Sequence, residues 1–408
     1  MGFKFKKLGD VCHFVRGPFG GSLKKSCFVS EGHAVYEQQH AIYDQFTKIR
    51  YFVDDNKFEE MQRFELKPGD LIMSCSGTMG KVSIVPQGIK KGIINQALLK
   101  LTPSNELDVE YLKYWMVSND FQESLAKFTV GAAIKNVASV KILKQIEIPC
   151  PDVETQKQIV ALLDQAFKAI DQAQQNIEKN IANAKELFQS KLNAIFSQTG
   201  EGWEERTLHD LISIRHGYAF KSKDFTTNYE GTNPIVLTPG NFSEDAKLYF
   251  TIKNTKRCIS DFPVDYKFEE GELVVVMTDL SSKMKILGKP AVINSNNILH
   301  NQRIGRVIFK SDDIERDILY YYFQSKPYLE EIKNTATGTM VRHTAPKRIL
   351  ENTISFPTSK EQQQKTIALL KDLRAFIENL ENKYRKKLIN LEELKKSILQ
   401  KAFNGELT

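Results

Sequence analysis

The sequence predicts an α+β protein written twice. Each copy is a mixed α/β domain followed by a long helix, and the two helices pair as an antiparallel coiled coil about an internal pseudo-two-fold repeat. Three observations carry this. Motifs recur at an offset near half of the 408 residues. Each copy ends in a long run whose apolar positions alternate three and four apart, the spacing of a helix seam. The segments before those runs mix short β-like and helical stretches.

The repeat is read first, because it fixes the domain count. Phe3-Lys4-Phe5-Lys6-Lys7-Leu8-Gly9-Asp10 has its counterpart in Trp203-Glu204-Glu205-Arg206-Thr207-Leu208-His209-Asp210, an offset of 200. Pro68-Gly69-Asp70-Leu71 pairs with Glu270-Gly271-Glu272-Leu273 at 202, and Asn95-Gln96 with Asn301-Gln302 at 206. Glu154-Thr155-Gln156 pairs with Glu361-Gln362-Gln363 at 207, and that offset then holds to the end. Segments whose offset drifts tolerate insertion, as loop-rich domains do. A segment whose offset is constant behaves as a helix that must keep register. The boundaries follow as residues 1–151 and 200–358 for the two domains, with 152–199 and 359–408 for the two helices and the C-terminal tail.

In the first domain Leu71-Ile72-Met73 and Val82-Ser83-Ile84-Val85 read as strands, and Val109 to Met116 as a helix. In the second, Leu273 to Met277 reads as a strand and Ile314 to Phe323 as a helix. The first long helix carries its seam on Leu163, Ile170 and Ile177, takes an extra four-step to Ile181, and continues through Phe188. The second carries Leu370, Ile377, Leu380 and Tyr384, then the same four-step to Leu388. The shared stutter locally unwinds a supercoil and points to the other copy as each seam's partner. Asp152 and Ser359 stand where N-caps are needed, and Gly200, Gly202 and Asn404-Gly405 where helices stop. At about 45 residues, each helix is roughly 65 Å long.

Composition excludes several classes. There are 57 Lys+Arg against 50 Asp+Glu, a formal charge of +7, which permits a nucleic-acid partner without establishing one. No apolar run is long enough for a transmembrane helix, and the N-terminus lacks the apolar core of a signal peptide. The five cysteines, Cys12, Cys27, Cys75, Cys150 and Cys258, form no C-x-x-C pair, which fits reduced thiols in a cytoplasmic protein.

Catalytic motifs are absent. Gly77-Thr78-Met79-Gly80-Lys81 has its glycines too close for a P-loop, and Val82 stands where Ser or Thr must bind magnesium. Asp152 and Glu154 open a helix, and capping accounts for them. No metal-ligand spacing of histidines or cysteines occurs, no methyltransferase loop, and no Gly-rich cofactor fingerprint follows a strand. The chain reads as non-catalytic by itself, binding no cofactor or metal of its own. Two similar domains on two similar rods suit the reading of two sites at a fixed separation, since sites one DNA turn apart lie about 34 Å from each other.

The motifs also match a known family. Leu8-Gly9-Asp10, Pro68-Gly69-Asp70-Leu71, Ser76-Gly77-Thr78-Met79-Gly80-Lys81-Val82, Glu154-Thr155-Gln156, Leu287-Gly288-Lys289-Pro290-Ala291 and the ending Ala402-Phe403-Asn404-Gly405-Glu406-Leu407 occur in the order domain, helix, domain, helix. In this the whole chain resembles the specificity subunit of type I restriction–modification systems. The resemblance implies that each domain is a target-recognition domain reading one half of a bipartite double-stranded DNA target. It implies helices that set the spacing and dock methyltransferase subunits. S-adenosylmethionine would sit on those methyltransferase partners, and ATP and Mg on a separate restriction subunit. Two other readings stay open: the specificity subunit of a related system that cuts on both sides of its target, and a coiled-coil scaffold that binds no DNA.

Candidate DNA contacts are residues whose side chains suit phosphates or base edges, on Gly-containing loops. In the first domain they are Lys24, Lys25, Ser76, Thr78, Lys81, Lys135 and Asn136. In the second they are Lys221, Lys223, Lys283, Lys285, Lys289, Arg342, His343, Lys347 and Arg348. The Gly80-Lys81 and Gly288-Lys289 turns read equally as structural hairpins. Asn95-Gln96 and Asn301-Gln302, shared by both copies, read as structural, as do His216 and His300. The loops differ between copies, with extra residues around Ser281 to Ile286, which predicts an asymmetric target.

Overall fold

A computed structural model describes residues 3–127, 139–227 and 231–407. The chain divides into two compact units, Met1–Glu178 with Arg385–Thr408, and Lys179–Tyr384. The long helices run over Val153–Phe196 and Lys360–Phe403, so each is shared between the units. Each unit thus holds one α/β domain, the first half of the helix that follows it, and the last half of the other helix.

The first unit has a four-stranded antiparallel sheet in the order Cys12–Arg16, Leu98–Pro103, Leu71–Ser74, Val82–Ile84. A three-stranded sheet of Tyr51–Val53, His33–Tyr36 and Gly92–Ile94 includes one parallel pair. The second unit repeats the first arrangement as Ile212–His216, Ile304–Phe309, Leu273–Val276, Pro290–Val292. Its second sheet has four strands, with a matching parallel pair of Ile235–Leu237 on Ile298–His300. A short antiparallel pair closes each domain at the root of its helix: Phe5–Lys7 on Glu147–Pro149, and Trp203–Thr207 on Thr353–Pro357. The expected helices form at Val109–Val117 and Arg316–Tyr322.

The helix ends follow the sequence. Asp152 accepts the Thr155 amide at 2.9 Å, and Ser359 accepts that of Gln362 at 3.1 Å. Gly405, at φ 77°, lies in the left-handed region that lets the second helix stop. In the first unit Lys395 pairs with Asp171 at 2.8 Å and Gln174 donates to Glu392 at 2.5 Å. In the second unit Lys185 reaches Glu381 at 3.7 Å. Partner numbers that rise on one helix as they fall on the other define an antiparallel pair, formed within a single chain. A cation over an aromatic ring recurs in both: Lys395 over Phe167 at 5.0 Å, and Arg374 over Phe188 at 4.7 Å.

The seam is driest where a domain also covers it. Leu163, Ile170, Leu370 and Ile377 are buried, whereas Ile177, Ile181, Phe188, Leu380, Tyr384 and Leu388 are half-buried. The first unit's core takes in Leu399, Ala402 and Phe403 from the second helix, with the Phe403 ring edge-on to Tyr111 at 5.2 Å. In the second unit Ile195 and Phe196 do the same, Phe196 standing edge-on to Tyr322 at 5.5 Å.

Two polar devices, repeated in both copies, explain motifs the repeat had picked out. Gln156 is fully buried: it accepts the Asp108 amide at 2.8 Å and donates to the Glu106 and Pro151 carbonyls, each at 2.8 Å. Gln363 accepts the Glu315 amide at 2.8 Å and donates to Asp313 and Pro357 at 2.7 and 2.9 Å. Each glutamine ties the start of a long helix to the start of a domain helix. The second device is the acid after the turn glycine. Asp70 accepts the Lys67 amide at 2.8 Å and faces the buried Lys100 ammonium at 3.9 Å. Glu272 accepts the Glu269 amide at 2.8 Å and pairs with the buried Arg306 at 3.2 Å.

His300 is completely buried, with Nε2 on the Ile304 carbonyl at 2.8 Å and the ring against Phe268. Burial, reinforced by the Arg306 charge, pushes its pKa down to about 4 against the backbone hydrogen bond that raises it. Between that value and 6.5 the unfolded chain binds the extra proton, so stability falls as pH drops through this window. The loss is about 3 kcal/mol. Urea midpoints from pH 7 to 4 should fall more steeply for the wild type than for His300→Asn; parallel slopes would refute the assignment.

All five cysteines are free thiols. Burial pushes the Cys12 and Cys75 thiols up to about 12, which makes them inert packing groups. No helix among the described residues is long and apolar enough to cross a membrane.

Candidate nucleic-acid interface

The loops holding Ser76 to Lys81 and Lys283 to Lys289 connect strands that recur in both units. In each unit the central hairpin is closed in the same way. The Ser74 amide bonds the Lys81 carbonyl at 2.8 Å and the Gly80 amide the Ser74 carbonyl at 2.9 Å; Val276, Lys289 and Gly288 repeat this at 3.0 and 2.9 Å. Gly80 has φ 73°, and a Cβ there would meet Leu125 at 2.7 Å; Gly288 has φ 78° and would meet Ile332 at 3.0 Å. Both glycines are therefore required by backbone conformation and by the helix packed on them. The repeat offset is 202 at Ser74 and Val276 but 208 at Gly80 and Gly288, so the second loop is six residues longer. The extra length falls in the segment containing Ser281 to Ile286.

In the first domain Lys24, between two 3-10 turns, and Lys25, which opens the second, are both exposed. Thr78 and Lys81 are exposed, and Ser76 is half-buried. Lys135 and Asn136 lie outside the described residues.

In the second domain two of the predicted loops meet. Thr278–Asp279 pairs antiparallel with Arg342–His343, so the segments around Lys283 and around Arg342 flank one ribbon. His343 Nδ1 lies 3.0 Å from the Thr278 hydroxyl. Lys283 and His343 are exposed, and so is Lys347, which pairs loosely with Glu351 at 3.8 Å. Arg348 reaches the Thr337 hydroxyl at 3.5 Å. Arg342 turns back to donate to the Gly338 carbonyl, bracing its own loop, with Nε buried and unpartnered.

Lys285 and Lys289 go elsewhere. Lys285 forms an ion pair with Glu244 at 2.5 Å, and Lys289 donates to the Glu244 backbone carbonyl. Burial holds the Lys289 ammonium below its ordinary pKa, against the raising effect of Glu244 and Asp245. Lys289 and Glu244 line a 740 Å³ cavity together with Lys185, Arg374, Glu378 and Glu381. Lys221 and Lys223 are exposed on a separate turn, Ser222–Asp224, where Asp224 accepts the Lys221 amide at 2.7 Å.

A family model for the type I restriction modification DNA specificity domain matches residues 1–182 and 200–390, which takes in both repeats. The chain belongs to this family. The MjaVIII specificity subunit of Methanocaldococcus jannaschii, a type I restriction enzyme subunit, is 29% identical over 341 residues, 78% of this chain and 75% of that protein. The StySPI specificity subunit of Salmonella potsdam is 23% identical over 381 residues, 88% and 78% of the two. The HsdS subunit of Thermoanaerobacter tengcongensis has a similar fold, with a TM-score of 0.61 at 18% identity over 100% of this chain and 97% of that one. A chain from a structure of type I R-M complex assembly and conformational transition gives 0.76 at 17% identity over 100% and 98%.

Within this specificity-domain framework, some polar positions are scaffold. Asn95 and Asn301 make the same turn, each side-chain oxygen accepting the amide two residues on, at 3.0 Å in both. Gly17 and Gly217 pack on these turns so closely that a Cβ would come within 1.9 and 2.3 Å of the Asn95 and Asn301 carbonyls. His300 is likewise structural, whereas His216 ends its strand exposed. Two basic residues were missed in the sequence. Lys256 and Arg303, both exposed, line a 170 Å³ cavity with Phe220, Ser222 and Gln302, directly beside the Lys221–Lys223 turn. Their signal was present: Arg303 follows the repeated Asn301-Gln302, and Lys256 belongs to a short basic run with Lys253 and Arg257.

Proposed function

We propose that this chain is the DNA sequence-recognition subunit of a type I restriction–modification complex. Each domain reads one half of an asymmetric bipartite target, and the paired helices set the spacing and dock methyltransferase subunits. The observation that carries the reading is a duplicated scaffold with unlike loops. The sheets, glutamine clamps and acid–base pairs recur, while the hairpin loops differ by six residues. A conserved frame with variable loops suits one task carried out on two different sequences.

The chain contributes sequence choice in the cytoplasm and no bond chemistry. S-adenosylmethionine belongs to the methyltransferase partners, and ATP and Mg to the restriction partner. Exposed Lys24, Lys25, Lys81, Lys221 and Lys223 suit phosphates, whose contacts position a protein without carrying sequence information. Base choice falls to the ribbon and hairpin loops.

Co-expression with the cognate methyltransferase, followed by methylation sequencing of the host genome, tests the proposal. It should return two unlike half-sites separated by a constant spacer of unspecified sequence. A palindromic target would refute the asymmetry, and modification that does not depend on this chain would refute the function.

A further inference from the structure

The second domain ends its Thr278–Asp279 and Arg342–His343 ribbon in an apolar tip. Met340 is 80% exposed, Leu280 55% and Val341 38%. No core requires them, and an exposed methionine at a loop tip contributes little to folding. The loop that carries Met340 is held by its own hydrogen bonds. Thr337 and His343 exchange amide-to-carbonyl bonds of 3.0 and 2.9 Å, and Arg342 braces the Gly338 carbonyl. Gly338 has φ 91°, and a Cβ there would come within 2.1 Å of the Val341 carbonyl, so the turn closes only on glycine. On the opposite strand the Asp279 carboxylate is buried, accepting the Ser281 amide at 2.8 Å and the Ile286 amide at 2.9 Å. Its charge is thus met by amides of its own loop, on which Lys283 is exposed, while Arg348 reaches Thr337, at the base of the Met340 turn, at 3.5 Å.

We infer that this tip is an apolar reader of thymine: Met340, supported by Leu280 and Val341, packs against thymine C5-methyl groups in the DNA major groove. The inference rests on the recognition role proposed above and names the chemistry of one contact within it. A two-stranded ribbon fits the major groove, and thymine is the base that offers an apolar group there. The exposed Lys283, on the same loop as Leu280, suits a neighbouring phosphate. A braced loop loses little conformational freedom on docking, and the unbranched thioether of methionine adapts to the methyl surface.

The test uses the full chain with its methyltransferase partner and duplexes carrying the mapped target. Deoxyuridine replaces thymine in one half-site at a time, which removes the methyl and nothing else. In one half-site each lost methyl that Met340 contacts should weaken wild-type binding about fourfold. Met340→Ala should weaken binding to the thymine duplex about tenfold and lose the response to deoxyuridine in that half-site. Met340→Leu should restore most of the affinity, and Leu280→Ala should give a smaller loss of the same kind. The inference is overturned if the wild type is indifferent to deoxyuridine in both half-sites, if wild type and Met340→Ala lose affinity equally, or if Met340→Ala weakens binding while deoxyuridine does not. A wild-type complex that binds none of these duplexes overturns the recognition role itself, and this inference with it.

Discussion

Replacing Gln156 with leucine should remove about 3–5 kcal/mol of stability from the first unit, and Gln363→Leu a similar amount from the second. Leucine has nearly the same size, so packing changes little. What changes is that a buried amide N–H and two carbonyls lose their partner at once, and each such group left unsatisfied costs about 1–3 kcal/mol. In the first unit those groups belong to Asp108, Glu106 and Pro151; in the second, to Glu315, Asp313 and Pro357. Gln156→Glu keeps the acceptor but loses both donors and buries a charge, so it should fare no better. Amide hydrogen exchange during urea unfolding is the suitable readout, because it reports each unit separately. Protection should fall first at residues 108–112 and 153–160 for Gln156→Leu. A variant within 1 kcal/mol of wild type would mean that water or a neighbour replaces the clamp.

Much of the fold was legible in the sequence because its signals are local. The heptad spacing, the shared stutter and the Asp152 and Ser359 caps lie within a few residues of what they determine. The constant offset of 207 marked the clamp glutamines as part of the frame, although only the structure reveals that they are buried. Strand order was not legible, because its partners are distant. Cys12–Arg16 pairs with Leu98–Pro103, and nothing in either run names the other. The packing of Ala402 and Phe403 against Tyr111 was hidden for the same reason: the ending was recognisable as a motif, but its seat lies almost 300 residues away.

The candidate interface was legible by residue type and less so by environment. Lysines on Gly-containing loops look alike in sequence, yet Lys283 is exposed, whereas Lys285 and Lys289 are engaged by Glu244, some 40 residues earlier. Arg342 resembles a base reader until its guanidinium is seen to brace Gly338. The converse holds for Lys256 and Arg303. Each is unremarkable alone, and folding brings them to the same cavity as Ser222. A charge's availability depends on its tertiary neighbours, and loop sequences do not encode those.

The acid–base pair beneath each hairpin should make the second large effect. Asp70→Ala should cost about 3–5 kcal/mol, because it leaves the Lys100 ammonium buried without its counter-charge. The Lys67 amide and the Thr102 hydroxyl lose their acceptor as well. Burial already depresses the Lys100 pKa, and Asp70 is the group that opposes the depression most. Removing the cation too should help: Asp70→Ala with Lys100→Met replaces an unpaired charge with an apolar side chain and should recover at least half of the loss. Urea unfolding of the two single variants and the double variant gives the coupling directly. A double variant as unstable as Asp70→Ala alone would mean that the turn, not the charge, is what matters. Glu272→Ala with Arg306→Met provides the same cycle in the second unit, where Arg306 also donates to the Asp265 carbonyl at 3.2 Å and to that of Lys267. The consequence reaches the interface. Asp70 precedes the strand Leu71–Ser74 that delivers Ser76 to Lys81, and Glu272 precedes Leu273–Val276, which leads into the Thr278–Asp279 strand of the ribbon. Each buried pair therefore holds the strand from which a candidate DNA-contacting loop projects, and loosening it should weaken DNA binding even though neither acid lies on the loop.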